Sequence, residues 1–234
     1  MQPLITICAR KGSKGVPGKN TREFNGRPLI EWTIDTAIEW GVGPVVISSD
    51  DEAVEEIFSD YMHCDIYFDE RPPELARDDT PKLKVLPMLL HKAQETLGNF
   101  DYIVDLDPTN PCRTVDDLEN CRRLFKENGY KTLFSTTEAK KNPYMNQVVI
   151  LNGKFAPPCQ LPHVVTRRQD APFVWSVNSN IYFYDTDWLL NSGSLSPISD
   201  NHGVYTMPDY AFCDIDNQVY FEVAELLHGK YYLK

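Results

Sequence analysis

The chain has 234 residues, 42% apolar and 24% charged, and can form one α/β domain with an elaboration or two small domains. Its net charge of −11 argues against nucleic acid as a partner, because nucleic-acid binders present basic surfaces to phosphates. There is no membrane-spanning apolar run, no secretion-signal pattern and no C-x-x-C pair among the six cysteines, which predicts a cytoplasmic protein with reduced thiols and no zinc site.

The first predicted element is a buried parallel strand at residues 4–8, a short apolar run rich in β-branched side chains. A loop rich in glycine and cations follows, and its glycine spacing matches neither common nucleotide-binding fingerprint. Glycines let the backbone approach a ligand closely, and backbone N–H groups with nearby cations form a cradle for an anion such as a polyphosphate. The alternative is a solvated basic turn. The residues concerned are Gly12, Gly15, Gly18, Arg10, Lys11, Lys14 and Lys19.

The text of this loop, ARKGSKGVPGKN at residues 9–20, resembles the opening motif of the acylneuraminate cytidylyltransferases, the CMP-sialic acid synthetases. The resemblance implies a three-layer, Rossmann-like α/β nucleotidyltransferase fold with a mainly parallel sheet, in which this loop holds the triphosphate of CTP. Arg10 and Lys19 are also expected to act in catalysis, Arg10 by stabilising the α-phosphate. By the same resemblance, the loop residues that bind the nucleotide are Arg10, Gly12, Ser13, Lys14, Gly15, Lys19 and Asn20.

Helices and strands alternate through the next part of the chain. Apolar residues recur at helical spacing over residues 29–38, a short buried strand is predicted at 45–47, and a helix at 53–58 follows a polar N-cap. This order is typical of right-handed βαβ units and therefore predicts a parallel sheet.

A polar connector is predicted at residues 69–82, leading into a helix at about residues 83–97. Its text RPPELARD resembles a second motif of the same family, R-P-x-x-L-A-x-D, whose arginine contacts the nucleotide. The resemblance therefore implies nucleotide binding by Arg71, with Thr80 and Lys82 as further candidates.

The strand predicted at residues 101–106 runs into the segment DPTNPCRT, at the end of the strand where open α/β sheets bind ligands. This segment resembles the family's L-Q-P-T-S-P-L-R-T, which implies that Asp107 and Thr109 bind the substrate. Asp107 stands where the family has a sugar-contacting glutamine, and an ionised acid cannot donate a hydrogen bond. The difference favours an analogue of N-acetylneuraminate as the acceptor.

After a strand predicted at residues 131–135 the alternation stops, and the resemblance implies that residues 138–177 form a dimerisation arm of a homodimer. The text TRRQD within this arm resembles a segment of the animal enzymes and implies substrate binding by Arg167, Arg168 and Gln169. Two adjacent arginines suit a carboxylate or phosphate clamp, and the alternative is ordinary surface charge. Asn178 matches a family asparagine and is placed in the same substrate site.

A helix is predicted at residues 185–191, a strand at 203–207 and a last helix through 219–227. Asp214 and Asp216 lie two residues apart on a predicted strand end, which puts both carboxylates on one face. Such a pair suits Mg²⁺, and the alternative role for Asp216 is to cap the last helix. The text FCDID resembles the closing motif of the family, which implies that both aspartates bind magnesium and act in catalysis.

Together these features predict one domain that uses CTP and Mg²⁺ to convert a sialic-acid-like nine-carbon 2-keto acid into its CMP-sugar, with release of pyrophosphate. Legionaminate- or pseudaminate-type acceptors fit this prediction. The alternatives are another acidic acceptor such as an octulosonate or a phosphonate, a D-x-D glycosyltransferase, and a non-catalytic nucleotide-binding protein.

Overall fold

The computed structural model describes residues 2–233. In chain order the strands are β1 (Pro3–Cys8), β2 (Glu23–Phe24), β3 (Arg27–Pro28), β4 (Val45–Ser49), β5 (Ile66–Glu70), β6 (Tyr102–Leu106), β7 (Thr132–Glu138), β8 (Val149–Leu151), β9 (Lys154–Ala156), β10 (Trp175–Asp185) and β11 (His202–Thr206). The helices are α1 (Leu29–Trp40), α2 (Glu52–Phe58), α3 (Lys82–Leu97), α4 (Val115–Asn128), α5 (Thr186–Asn191) and α6 (Gln218–Tyr231). None of the helices within the described range is long and apolar enough to cross a membrane.

The central sheet has seven strands in the order β11-β7-β10-β6-β1-β4-β5. Neighbouring strands pair in parallel except at β10, which runs antiparallel to both β6 and β7. The first strand, β1, lies in the interior of the sheet between β6 and β4. The prediction of a mainly parallel sheet is therefore confirmed.

Helices cover both faces of the sheet. On one face, α1 and α4 pack over a cluster that includes Ile5 and Ile7, and on the other face α3 and α5 pack over a cluster that includes Leu4 and Ile103. Successive side chains of a strand point to opposite faces, so the apolar run of β1 serves both clusters. This arrangement confirms the predicted three-layer α/β architecture.

A third and smaller apolar cluster anchors the glycine-rich loop. Val16 of the loop packs with Ile215 and with Phe221 of α6, and all three are at most 2% exposed. The loop is thereby fixed against the segment that carries Asp214 and Asp216.

Two parts of the chain differ from the sequence-based predictions. Residues 69 and 70, predicted as connector, belong to the edge strand β5, where buried and exposed residues are mixed and the hydrophobic signal is weak. The strand end predicted at Asp214 and Asp216 is wrong, because irregular backbone follows a 3₁₀ turn at Asp209–Phe212. This backbone still alternates between buried residues 213 and 215 and more exposed aspartates, so the two carboxylates do share a side.

Residues 138–177 depart from the alternation of strands and helices, and β8 and β9 pair there as a separate two-stranded sheet. Large apolar side chains are exposed along this segment, among them Ile150 (66%), Phe155 (75%), Val164 (86%) and Phe173 (82%). Apolar exposure on this scale is typical of an interaction surface. The dimerisation role of the arm stays a prediction.

Candidate active site

A cavity of about 200 Å³ lies at the carboxyl ends of β1 and β6, where a parallel sheet is expected to place its ligand site. It collects nine of the residues that the motifs singled out, although these come from three separate stretches of sequence, residues 10–20, 71–82 and 107–109. The predicted residues that line it are Arg10, Ser13, Lys19, Asn20, Arg71, Thr80, Lys82, Asp107 and Thr109.

The glycine-rich loop packs tightly against the segment of the two aspartates. A Cβ added to Gly15 would lie 1.7 Å from the carbonyl oxygen of Asp216, so only glycine fits there. Gly12 has a φ of +80°, a conformation that residues with a side chain rarely adopt. Within the loop, Asn20 Nδ2 donates a hydrogen bond to the carbonyl of Arg10, 3.2 Å away. These contacts hold the loop in one shape above the cavity.

Two cations of the loop converge on one anionic group. Arg10 Nη1 and Lys14 Nζ each lie 2.5 Å from a carboxylate oxygen of Asp78. The hydrogen bond from Lys14 and the charge of Arg10 outweigh the effect of burial and lower the pKa of Asp78. The two side chains can therefore bind one anionic group together, and a phosphate of a polyphosphate could take the place of the Asp78 carboxylate.

Lys19 joins the loop to the aspartate segment, because its Nζ donates a hydrogen bond to the carbonyl of Ile215 between Asp214 and Asp216. Burial lowers the pKa of Lys19, and the charges of Asp107 and of these two aspartates oppose that shift. The ammonium group therefore lies where three segments meet: the glycine-rich loop, the loop of residues 107–114 after β6 (the β6 loop) and residues 213–217 (the aspartate segment).

Arg71 is only 5% exposed, and its guanidinium is held in place by hydrogen bonds to Ser48. Its Nε donates to Ser48 Oγ at 3.2 Å and its Nη2 donates to the Ser48 carbonyl at 2.8 Å. Ser48 Oγ in turn donates to Asp69 Oδ2 at 2.9 Å. The arginine lines the cavity with its position set by β4 and β5.

Lys82 lies between two carboxylates instead of facing the cavity as a free cation. Its Nζ is 2.9 Å from Asp105 Oδ2 and 2.7 Å from Asp107 Oδ2. Burial opposes the charged form of Asp107, but Lys82 and the hydrogen bonds from Thr109 outweigh it and lower the pKa of Asp107 to about 2. Asp107 is therefore an ionised group with a fixed orientation.

Thr109 connects the β6 loop with the aspartate segment. Its Oγ1 lies 2.8 Å from Asp107 Oδ1 and 2.7 Å from Asp214 Oδ1, and its single hydroxyl proton can serve only one of them. Burial and the nearby charge of Asp107 raise the pKa of Asp214. Two acidic groups thus approach one hydroxyl at the edge of the cavity, where a bound cation would relieve their repulsion.

A protein family model described as cytidylyltransferase matches residues 4–198. The chain belongs to the cytidylyltransferase family. It is 33% identical over 226 residues to the CMP-N,N'-diacetyllegionaminic acid synthase of Campylobacter jejuni, covering 96% of this chain and 94% of that protein. It is 30% identical over 237 residues to the pseudaminic acid cytidylyltransferase of the same species, covering 97% of each. A solved CMP:2-keto-3-deoxy-manno-octonic acid synthetase complexed with CTP shares the fold, with a TM-score of 0.69, 18% identity and coverage of 98% and 99%.

These similarities confirm the resemblance to the acylneuraminate cytidylyltransferases and the prediction of a CTP-using nucleotidyltransferase. The alternatives of a glycosyltransferase and of a non-catalytic nucleotide-binding protein are not supported. The residue roles implied by the resemblance stay predictions, and the structure supplies their geometry.

The aspartate pair of this cytidylyltransferase fits a magnesium ion. Asp214 is half-buried against Thr109, whereas Asp216 is exposed and its Oδ1 accepts a hydrogen bond from Asn217 Nδ2 at 2.8 Å. Asn217, not Asp216, caps α6, so the alternative role of Asp216 as a helix cap is wrong. No group of three or more His, Cys, Asp or Glu side chains suited to a metal occurs within residues 2–233. Mg²⁺ needs only one or two carboxylates when substrate phosphates and water complete its shell.

Four predicted substrate residues lie away from the cavity of this chain. Arg167 pairs with Asp170 at 2.7 Å on the arm, and Arg168 and Gln169 line a separate cavity of about 400 Å³. Asn178 is 2% exposed, accepts a hydrogen bond from Ser135 Oγ at 2.7 Å and donates one to the Ala211 carbonyl at 2.9 Å. Within the single chain the side chain of Asn178 is therefore fully engaged in structural hydrogen bonds, and the arm residues do not reach the cavity at the ends of β1 and β6.

The motifs did not identify the buried polar residues whose hydrogen bonds position the side chains of the site. Ser48, Asp69 and Arg113 are all buried polar groups, and each has a hydrogen-bond partner 21 to 80 residues away in sequence. A polar residue at the end of a predicted buried strand was the available signal for Ser48. Arg113 belongs to the segment DPTNPCRT, but the neighbouring sequence does not show that its side chain reaches Asn180 and Thr33.

Proposed function

We propose that this cytidylyltransferase transfers CMP from CTP to the anomeric hydroxyl of an acidic, sialic-acid-like nine-carbon 2-keto sugar. The observation that carries the proposal is the contact of Lys19 with the Ile215 carbonyl, which joins the glycine-rich loop to Asp214 and Asp216. A phosphate cradle and a pair of carboxylates are thereby adjacent, as nucleotidyl transfer requires. Two relatives support this choice of acceptor class, because one is named for its product, CMP-N,N'-diacetyllegionaminic acid, and the other for its acceptor, pseudaminic acid.

In this proposal the chain's cations orient the triphosphate. Arg10 and Lys14 exchange Asp78 for phosphate oxygens, and Lys19 and Arg71 approach the same cavity from other sides. The anomeric oxygen forms a bond to the α-phosphorus and its proton passes to solvent, while the bond from the α-phosphorus to the oxygen that bridges to the β-phosphorus breaks, so that pyrophosphate leaves with that electron pair. Mg²⁺ held by Asp214 and Asp216 would supply charge neutralisation for the phosphate oxygens.

The buried side-chain oxygen of Asn20 provides a further polar contact for the nucleotide. Asn20 is 7% exposed and lines the cavity, and its Oδ1 finds no hydrogen-bond donor within the described chain. A buried acceptor without a donor is unfavourable, so a hydroxyl or amino group of the nucleotide would complete it.

We further propose that the protein is a homodimer in which the arm, residues 138–177, contacts the second copy. The exposed apolar side chains of the arm would become buried, and Arg167 and Arg168 would be placed near the partner's cavity. Bidentate arginine contacts suit the carboxylate of the acceptor. Replacing Phe155, which is 75% exposed, by aspartate should shift the protein to monomer in sedimentation velocity, while Tyr67→Asp on the edge strand should not.

The decisive experiment measures pyrophosphate release from CTP and Mg²⁺ with a panel of acceptors. We expect turnover with legionaminate- or pseudaminate-type acids and formation of the CMP-sugar, identified by mass. Turnover confined to an octulosonate or a phosphonate would reject the acceptor class, and no turnover with any acceptor would reject the proposed reaction.

The magnesium assignment is tested by Asp214→Asn. The amide keeps the size of the side chain and the acceptor for Thr109 but replaces a charged cation ligand by a neutral one, so we expect kcat to fall at least ~100-fold. CTP binding measured without metal should persist, because the phosphate cradle is untouched. The matched control is Asp200→Asn, an exposed position in a loop, which should keep full activity. Full activity of Asp214→Asn would remove Asp214 from the metal site.

A further inference from the structure

Arg113 is a buried cation next to the active site. Its side chain is 3% exposed, and within residues 2–233 its hydrogen bonds go to uncharged oxygens. Nε donates to Asn180 Oδ1 at 2.5 Å, and Nη1 donates to Thr33 Oγ1 at 3.1 Å. Burial lowers its pKa to about 10, which leaves the group protonated at neutral pH. Burying a charge in this way is costly, so a purely space-filling role does not explain the residue.

The remaining nitrogen of the guanidinium closes the turn that leaves β6. Nη2 donates to the carbonyl of Asp107 and, at 2.6 Å, to the carbonyl of Asn110. One donor group therefore fixes both ends of a four-residue turn. Thr109 lies inside this turn, with its N–H donating to Asp107 Oδ1 at 3.0 Å.

The other two nitrogens of the guanidinium, Nε and Nη1, bond to strand β10 and helix α1. Asn180 on the antiparallel strand β10 is fully buried, accepts from Nε, and donates to the Cys112 carbonyl at 3.0 Å. Thr33 on α1 is also fully buried. Arg113 thus connects the turn to one central strand and one helix, which gives the turn a fixed position relative to the sheet.

Arg113 does not line the nucleotide cavity, so any effect on the reaction passes through the turn. The turn directs the Asp107 carboxylate toward Lys82 and the Thr109 hydroxyl toward Asp214. The glycine-rich loop, by contrast, makes no hydrogen bond with Arg113 in the described chain.

We infer that Arg113 is a positioning residue that sets the geometry of the turn from Asp107 to Asn110, and thereby acceptor recognition and turnover but not CTP binding. This inference rests on the proposed function. The positive charge also lies behind Asp107 and Asp105, whose charges interact with it, so it offsets the negative potential of the acidic side of the cavity.

The test compares Arg113→Gln and Arg113→Lys with the control Arg123→Gln, an arginine on α4 whose side chain donates to Asn120 on the same helix. For Arg113→Gln we expect the acceptor kcat/KM to fall about 10- to 100-fold, since hydrogen bonds from a charged donor are lost. The dissociation constant of CTP, measured by calorimetry without acceptor, should stay within about threefold. Arg113→Lys should recover part of the loss, because it restores the charge but not the paired donors.

A second measurement does not depend on turnover. In hydrogen exchange followed by mass spectrometry, the peptide covering residues 107–113 should exchange faster in Arg113→Lys, while peptides from β1 and α6 keep the wild-type rate. If Arg113→Gln does not fold, Arg113→Lys and Asn180→Ala carry both measurements.

Several outcomes would overturn the inference. Equal losses of CTP affinity and acceptor kcat/KM would indicate a general structural role, as would unchanged exchange of residues 107–113. Wild-type protein that turns over no acceptor would reject the proposed function, and the exchange experiment would still decide whether Arg113 holds the turn.

Discussion

Ser48 shows how a small buried residue can set the position of a cation that lines the cavity. At the end of β4, its Oγ donates to Asp69 and accepts from Arg71 Nε. On the far side Lys92 Nζ lies 2.5 Å from Asp69 Oδ1, so the carboxylate itself is fixed by a cation of α3. The chain of contacts runs from the outer helix through two strand ends to the guanidinium in the cavity.

The first prediction concerns Ser48→Ala, which removes the hydroxyl but keeps the carbonyl that accepts from Arg71 Nη2. The variant loses the hydrogen bonds of the hydroxyl with Asp69 and with Arg71. A hydrogen bond to a charged group is worth about 1.5–3 kcal/mol, so we expect the KM for CTP to rise about 10- to 100-fold. Under the proposed function Arg71 binds CTP equally in the ground state and in the transition state, so kcat at saturating CTP should stay near wild type. The matched control is Ser59→Ala, whose hydroxyl donates only to Glu56 on an exposed turn. A fall in kcat at unchanged KM would show that Arg71 acts in the chemical step.

At the scale of elements, the active site depends on two irregular segments packed against each other. The glycine-rich loop and the segment of Asp214 and Asp216 meet at Gly15 and through the Lys19–Ile215 hydrogen bond. Neither segment has the backbone ladder of a sheet, so their relative position depends on these few contacts and on the apolar cluster around Val16.

The second prediction is that Gly15→Ala separates these two segments. The added Cβ would meet the Asp216 carbonyl at 1.7 Å, so the backbone must move, at a cost of about 1–3 kcal/mol in the free energy of unfolding. Because the movement displaces Asp216, a proposed metal ligand, activity should fall much further than stability does. We expect a loss of activity of at least ~100-fold at temperatures where the variant is folded.

Gly98→Ala is the control for this prediction. Gly98 has a φ of +94° and lies at the end of α3, where an added Cβ would meet no atom of the described chain within 4 Å. It should lose about 1–3 kcal/mol of stability through backbone strain and keep its activity. Equal activity of the two alanine variants would show that the Gly15 contact does not position the aspartates.

The sequence identified the elements whose signal is local. The β1 run, the capped helix at α2 and the glycine-rich loop all carry their information within about ten residues, and their placement agrees with the structure. β5 was missed because an edge strand has mixed exposure, and the segment of Asp214 was misread because D-x-D fits a strand and an irregular turn equally well. Lys82 pairs with Asp107 across 25 residues, and Thr109 bonds to Asp214 across 105 residues, so only the fold brings these partners together.

At the scale of the whole molecule, α6 closes the fold over the N-terminal part of the chain through a buried histidine. His228 is 3% exposed, stacks on Tyr232 and meets the rings of Phe24 and Trp32 edge-on. Its Nδ1 lies 3.2 Å from Asn25 Nδ2, which requires the neutral ring to accept the hydrogen bond. Burial lowers the pKa of His228 from its ordinary value of 6.5 to about 4.

The last prediction is that His228 makes the protein less stable as pH falls below neutrality. Between pH 6.5 and 4 the unfolded chain binds a proton at this histidine that the folded protein excludes, so the free energy of unfolding rises with pH in this window. The contribution lost between pH 7 and pH 5 is about 2 kcal/mol. Chemical denaturation at both pH values should show this loss in wild type and a smaller one in His228→Gln, whereas His91→Gln on the exposed face of α3 should behave as wild type. If wild type and His228→Gln lose the same stability between these pH values, the proton is taken up elsewhere and α6 is not the acid-sensitive contact of the fold.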